Sequence, residues 1–126
     1  MKKFILISLI SIALQTQAQL DWLHTIGATT GNANIYAIAI ASSGNVYVTG
    51  EFDGTVDFDP SSNTVNLTSN GSDDLFIQKL DPIGNLIWVK SIGGINSENG
   101  VHIHLDASEN VHVTGAFDGT ADFNPN

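Results

Sequence analysis

Residues 45–60 read NVYVTGEFDGTVDFDP, and residues 110–125 read NVHVTGAFDGTADFNP. A second correspondence precedes each of them, because WLHTIG at 22–27 returns as WVKSIG at 88–93. The offset is 66 residues for the tryptophan segments and 65 for the later ones, so one residue is lost in between. A long repeat of fixed period predicts one supersecondary unit per copy, with each unit burying its apolar faces against its neighbours.

The first 18 residues have the three regions of a signal peptide. Lys2 and Lys3 form a basic start, residues 4–14 are apolar but too short to span a bilayer, and Ala18 ends a small-x-small cleavage site. We therefore predict that residues 1–18 are removed and that the mature chain begins at Gln19. The alternative is a buried first strand or helix. The absence of cysteine excludes a lipoprotein anchor and a disulfide framework.

The predicted mature chain is strongly acidic. Only Lys79 and Lys90 remain against 13 acidic residues, which gives a formal net charge of −11, and the sequence contains no arginine. Phosphate binding needs clustered Lys and Arg, so the composition argues against a nucleic-acid partner and against an anionic membrane surface. The same field can attract divalent cations, although a solvated acidic surface is the favoured interpretation.

Short β-branched or aromatic segments, divided by Gly, Asn, Asp and Ser, predict an all-β chain after Gln19. We predict strands at about residues 20–26, 35–40, 45–52, 55–59, 64–68, 74–80, 85–92, 101–105, 110–117 and 120–123. The Asp-Gly pairs at 53–54 and 118–119 are tight turns. Gly44 and Gly84 can adopt positive φ in hairpin turns, whereas Glu109 occupies the equivalent position and predicts a strained turn.

Alternation of apolar residues sets a strand register. Pairing Ile103 with Val113 keeps the apolar residues of 101–105 and 110–117 on one face, while a one-residue slip would place valines opposite histidines. The equivalent register in the first copy pairs Ile38 with Val48. It sets Ala39 opposite Tyr47 on the other face.

Each copy thus supplies four main antiparallel strands, here 35–40, 45–52, 74–80 and 85–92, with an excursion at 53–73. Four-stranded units covered on both faces by their neighbours are β-propeller blades. A solenoid is one alternative, and separate sandwich domains, which need nearer about 100 residues each, are another. We predict a last blade strand with its linker at 19–34, a complete blade at 35–94 and the first half of the next at 95–126. This amounts to about one and a half blades of a repeat of about 66 residues.

The segments GNVYVTG at 44–50, FDGTVDFDP at 52–60, DLFIQKLD at 74–81 and GNLIWVKSIGG at 84–94 resemble the bacterial β-propeller repeat called the SBBP repeat. The resemblance covers nearly all of residues 22–126. It implies a propeller in a secreted or cell-surface protein of a Gram-negative bacterium and implies no particular activity. Because propellers generally have four to eight blades, we expect an N-terminal piece of a protein of roughly 400 residues or more, with further blades in the same chain.

The motif D-G-T-x-D-F-(D/N)-P supplies the candidate metal ligands. They are Asp53, Asp57, Asp59, Asp118, Asp122 and Asn124. In each copy the last two lie two residues apart and share a strand face, with the first at the adjoining turn. Calcium takes several such oxygen ligands, but the spacing matches neither an EF-hand nor a nonapeptide repeat, so a structural turn is the favoured alternative. Otherwise we expect no cofactor.

Two further constellations recur or cluster. His102, His104 and His112 share a face in the predicted register and offer three nitrogen ligands to zinc, although the first copy has no histidine at these positions. Blade packing or surface placement is the favoured alternative. Trp22 and Trp88 occupy one repeat position, which suits a core layer better than a sugar-binding platform.

These observations lead to two hypotheses for function. The first is a secreted, non-catalytic propeller module that binds or displays an extracellular protein or glycan. The second is a piece of a propeller enzyme acting on extracellular glycans, with its active site in other blades. A truncated gene product without independent function is a third interpretation.

Overall fold

The computed structural model describes residues 22–28 and 30–124. Ten strands account for all of the regular structure in these residues: β1 (Gly27–Ala28), β2 (Ala33–Ile40), β3 (Val46–Phe52), β4 (Thr55–Asp57), β5 (Asn66–Thr68), β6 (Asp74–Leu80), β7 (Leu86–Gly94), β8 (Glu98–Leu105), β9 (Val111–Phe117) and β10 (Ala121–Asp122). The described part of the chain contains no helix of the length and apolarity needed to cross a membrane. The predicted signal peptide lies outside the described residues.

The central blade consists of β2, β3, β6 and β7, which form an antiparallel meander in the spatial order β7-β6-β3-β2. The predicted register is confirmed, since Ile38 pairs with Val48 and Ala39 with Tyr47. The turns joining these strands also follow the prediction, because Gly44 and Gly84 both have positive φ. The predicted limits of the units, at residues 18, 34 and 94, stay predictions.

A β-hairpin, β8–β9, packs against one face of the central blade and contacts β2, β3 and β6. Its register is also as predicted, with Ile103 opposite Val113 and His104 opposite His112. The approach is close, because a Cβ at Gly100 would lie 2.3 Å from the Thr49 Oγ1. The hairpin thus covers the sheet as the first two strands of a second unit.

The other face of the central blade carries the core. Its centre is a set of phenylalanines, Phe52, Phe58 and Phe76, with ring centroids 4.9 to 6.4 Å apart. Phe58 reaches this position from the excursion between β3 and β6. Trp22 and Ile26 pack against the same cluster, so the segment that precedes β1 lies over this face of the sheet.

The same pairing links consecutive units twice. The short strand β4 of the excursion pairs with β1, placing Gly27 opposite Asp57, and β10 pairs with the end of β7, placing Gly93 opposite Asp122. Both partners differ by the repeat offset. The excursion of each copy is therefore bound to the end of the strand that precedes that copy.

The structure corrects the limits of several predicted strands. Residues 22–26 were predicted as strand, but β1 begins only at Gly27, because no described strand lies beside 22–26 to form a ladder. The strands β2 and β8 begin two and three residues earlier than predicted, at Ala33 and Glu98. The predicted strand at 64–68 exists as the three-residue β5.

Candidate functional site

The Asp-rich excursion folds around its own carboxylates. Asp57 Oδ1 accepts hydrogen bonds from the backbone N–H groups of Asp59 (3.1 Å) and Val65 (2.9 Å). Asp59 Oδ1 in turn accepts one from the Ser61 N–H at 2.9 Å, and this bond holds the pKa of Asp59 below its usual value. These are Asx turns, in which a short acidic side chain closes the backbone after it.

Asp53 has a different part in the excursion. Its two carboxylate oxygens accept hydrogen bonds from the backbone N–H and the side-chain amide of Asn32, at 3.0 and 3.2 Å. Gly54, the residue after it, has φ of +61° and makes the predicted tight turn. Asp53 thus fixes the loop that leads into β2 rather than turning towards Asp57.

The second copy repeats the Asx turn, since Asp122 Oδ1 accepts a hydrogen bond from the Asn124 N–H at 2.9 Å. Asp118 again follows the same geometry with its backbone N–H, which donates to the Ser97 carbonyl at 3.1 Å. Within the described residues, no three His, Asp or Glu side chains converge on a point where they could hold a metal ion. The calcium interpretation of the repeated motif stays a prediction.

The three predicted zinc ligands lie on the outward face of the β8–β9 hairpin. His104 and His112 are cross-strand neighbours with ring centroids 6.4 Å apart, while His102 is paired with Thr114 beyond a bulge in β8. All three side chains are exposed. His112 Nε2 lies 3.8 Å from Asp106 Oδ2. The structure therefore brings two of the three together on a surface.

The two tryptophans lie within the packing of the blades. Trp88 makes an edge-to-face contact with Tyr47 at 6.1 Å, and Trp22 donates its Nε1–H to the Pro82 carbonyl at 3.2 Å. Trp22 also lies against Gly84, where a Cβ would be 3.0 Å from its ring. Both rings are half-buried, which agrees with the predicted core layer.

A buried polar group that the sequence pattern did not reveal lies between the segments. Gln78 is fully buried and donates to the Phe58 carbonyl at 2.7 Å, with its Nε2 also 3.1 Å from the His24 Nε2. Burial lowers the pKa of His24, although the hydrogen bond with Gln78 opposes this. Gln78 stands within an apolar strand, and its alternation with the apolar residues of β6 is the signal that placed it on the core face.

The charges are separated along the blade axis. We define the excursion end as the end of the sheet at which β3 ends and β6 begins, and the turn end as the opposite one. Nine of the 13 acidic residues lie in the strand ends and loops at the excursion end: Glu51, Asp53, Asp57, Asp59, Asp73, Asp74, Glu98, Asp118 and Asp122. Neither Lys79 nor Lys90 lies among them. The excursion end is therefore a strongly negative surface.

The similarity of the chain to known proteins agrees with the architecture. The chain is 29% identical over 122 residues to an uncharacterized WD repeat-containing protein of Acanthamoeba polyphaga mimivirus. The alignment covers 86% of this chain and 9% of that protein's length. Repeats of this kind together with four-stranded antiparallel sheets decide the fold. The chain is a partial β-propeller. No family model and no solved structure matches it.

Proposed function

We propose that this partial β-propeller is a non-catalytic repeat module that binds a protein partner outside the cell. The observation that carries the proposal is the duplicated link between units, in which β1 pairs with β4 and β7 with β10 at equivalent positions. Such links stack blades into a rigid scaffold whose two ends remain free for contact. The similarity to a WD repeat-containing protein supports a repeat scaffold of this type.

The negative excursion end favours a partner with a basic surface. Complementary charge accelerates encounter and selects among partners, and its effect falls with increasing ionic strength. Asp118 and Asp122 are exposed at this end and extend the field of the central blade. The partner should therefore bind more weakly in high salt.

A glycan is the second candidate partner. We rank it lower because Trp22 and Trp88, which a sugar platform would use, are half-buried against other residues. The hypothesis of a glycan-active enzyme places its active site in further blades and is a proposal about the whole protein.

Export is part of the proposal and is supported by the sequence of residues 1–18 and by the resemblance to SBBP repeats. The test fuses residues 1–30 to a reporter enzyme that is active only outside the cytoplasm. Reporter activity that disappears when the apolar run is interrupted by Leu9→Arg is the expected result. Activity confined to the cytoplasm, or no processing after Ala18, would exclude an exported module.

The binding proposal is tested with the mature chain against a panel of purified extracellular proteins and an array of glycans. A doubly neutralised variant, Asp118→Asn with Asp122→Asn, should bind the protein partner more weakly, whereas Glu109→Gln at the turn end should not change affinity. Binding to glycans alone would replace the protein partner. Titration of the same chain with CaCl₂ in a calorimeter tests the calcium prediction.

A further inference from the structure

The aromatic cluster of the central blade is a filled socket. Phe52 and Phe58 form two walls at 5.3 Å and 87°, and the ring of Phe76 on β6 fills the space beside them. Phe76 lies opposite Gly50, where a Cβ would be 3.0 Å from its ring. All three rings are buried, with Phe52 1% exposed and Phe58 fully buried.

The second unit builds the same two walls. Phe117 and Phe123, the counterparts of Phe52 and Phe58, have ring centroids 5.2 Å apart at 87°. Their exposure is very different, at 54% and 60%. The aromatic pair therefore has its final geometry before any residue equivalent to Phe76 lies against it.

A cavity of about 250 Å³ occupies the place beside these walls. Besides the two rings it is lined by Leu75, Ile92, Val113 and Gly115. The last three correspond in the repeat to Ile26, Val48 and Gly50, which surround Phe76 in the central blade. The lining is mostly apolar, and Gly115 keeps open the space that an aromatic ring requires.

The strand beside the cavity has an open edge. Among the described strands β9 pairs only with β8, whereas its counterpart β3 pairs with β2 on one side and β6 on the other. An open edge presents a row of N–H and C=O groups that accept a further strand. Buried Glu98 adds a polar group to the cavity wall, and its Oε1 has no hydrogen-bond partner among the described residues.

We propose that the edge of β9 and the Phe117–Phe123 socket together bind an extended segment of a protein partner. The segment adds to β9 as an antiparallel strand and places an aromatic side chain opposite Gly115. Strand addition of this kind takes affinity from main-chain hydrogen bonds and specificity from a pocket for alternate side chains. The inference rests on the proposed protein-binding function and names the chemistry of its partner.

The occupied copy defines what the segment must carry. In β6 the aromatic residue lies between Leu75 and Ile77, so the partner segment has an aromatic flanked by aliphatic residues in extended conformation. A second folded copy of this chain cannot supply its own β6, because that strand is hydrogen-bonded on both sides within its sheet. The partner is therefore a segment that is free to become a strand.

The experiment uses the full chain and a synthetic peptide with the sequence of residues 71–82, GSDDLFIQKLDP. Titration followed by fluorescence anisotropy should give saturable binding, and amide shifts in NMR spectra should concentrate on residues 111–117. A peptide carrying Phe76→Ala should bind about tenfold or more weakly, since a buried aromatic anchor dominates such contacts.

Variants of the chain test the socket. Phe123→Ala removes one wall and should weaken peptide binding by a factor of about ten, without unfolding the protein, because this ring is exposed. The matched control is Ile83→Ala, an apolar residue 74% exposed in the turn between β6 and β7, which should leave binding unchanged.

Three results would overturn the inference. They are the absence of saturable binding, equal binding of the Phe76→Ala peptide, and a dimer of the free chain that Phe123→Ala dissolves, which would assign the socket to a second copy. If the peptide fails while a natural partner binds the chain equally with Phe123 or alanine, the socket proposal fails and the proposed function stands. If no protein partner binds at all, the proposed function fails even where the peptide binds.

Discussion

The carboxylate of Glu109 accepts hydrogen bonds from the backbone N–H and the hydroxyl of Ser43, each at 3.2 Å. The two residues lie in equivalent hairpin turns of consecutive units, so this contact joins the second unit to the central blade at the turn end. Glu109 has φ of +62°, a region that glycine adopts at its counterparts Gly44 and Gly84. The strain predicted for this turn is thus present, and the side chain that causes it makes the contact between units.

Replacing Glu109 separates these two effects. Glu109→Ala should lower Tm, because it loses the hydrogen bonds to Ser43 and retains a side chain at positive φ. Glu109→Gly should have a higher Tm than Glu109→Ala, since glycine adopts this φ without steric cost. Thermal unfolding followed by circular dichroism measures both. Equal Tm values for the two variants would show that the backbone at 109 is not strained.

A second prediction concerns acid stability. Hydrogen bonds from Asn110 hold the pKa of the Asp106 carboxyl at about 2, below the ordinary value of 3.8. The folded state therefore gains stability from this group above the ordinary pKa, and it loses that stability as the pH falls from about 4 towards 2. Asp106→Asn should flatten the fall of Tm over this range.

Asp81 provides the matched variant for that test. It accepts hydrogen bonds from Asn85 in the same arrangement, and these lower its pKa as well. Asp81→Asn should flatten the acid limb in the same sense, and the double variant should do so more strongly. An acid limb unchanged by all three variants would contradict the prediction.

A third prediction lies at higher pH. Burial lowers the pKa of His24 below its ordinary value of 6.5, so the unfolded chain takes up a proton first as the pH falls from 7 towards 5. Stability should decrease over this interval. His24→Gln keeps an amide beside Gln78 and should remove this decrease. Leu23→Gln, at a neighbouring residue that is 78% exposed, is the control and should keep the wild-type dependence. Urea unfolding at pH 5, 6 and 7 measures the difference.

Much of the local structure follows from the sequence because it depends on patterns that repeat. The alternation of valine and isoleucine fixed the pairing of Ile103 with Val113, and the Asp-Gly pairs fixed the tight turns. The sequence also placed Glu109 where glycine would be expected. These features depend on neighbours close in the chain, and the repeat showed each of them twice.

Contacts between units were less accessible. The pairing of β1 with β4 joins residues about 30 positions apart, and neither strand is longer than three residues, so periodicity carries little signal. The partner of Asp53 is Asn32, outside the motif that suggested a metal site. A carboxylate that closes a turn and one that binds calcium look alike in sequence, because both need an oxygen at the same spacing.

The fourth prediction concerns the close approach of β2 and β3 at Gly50. A Cβ there would lie 1.9 Å from the Asn34 carbonyl oxygen, a backbone atom, and 3.0 Å from the Phe76 ring. Gly50→Ala should therefore separate the strands and disturb the aromatic cluster, at a cost of about 3 kcal/mol in the free energy of unfolding. Gly27→Ala is the matched control, because a Cβ at Gly27 meets no atom within 4 Å. Urea unfolding of the two variants measures the contrast, and a loss at Gly50 no larger than that at Gly27 would mean that β2 and β3 are not held at this separation.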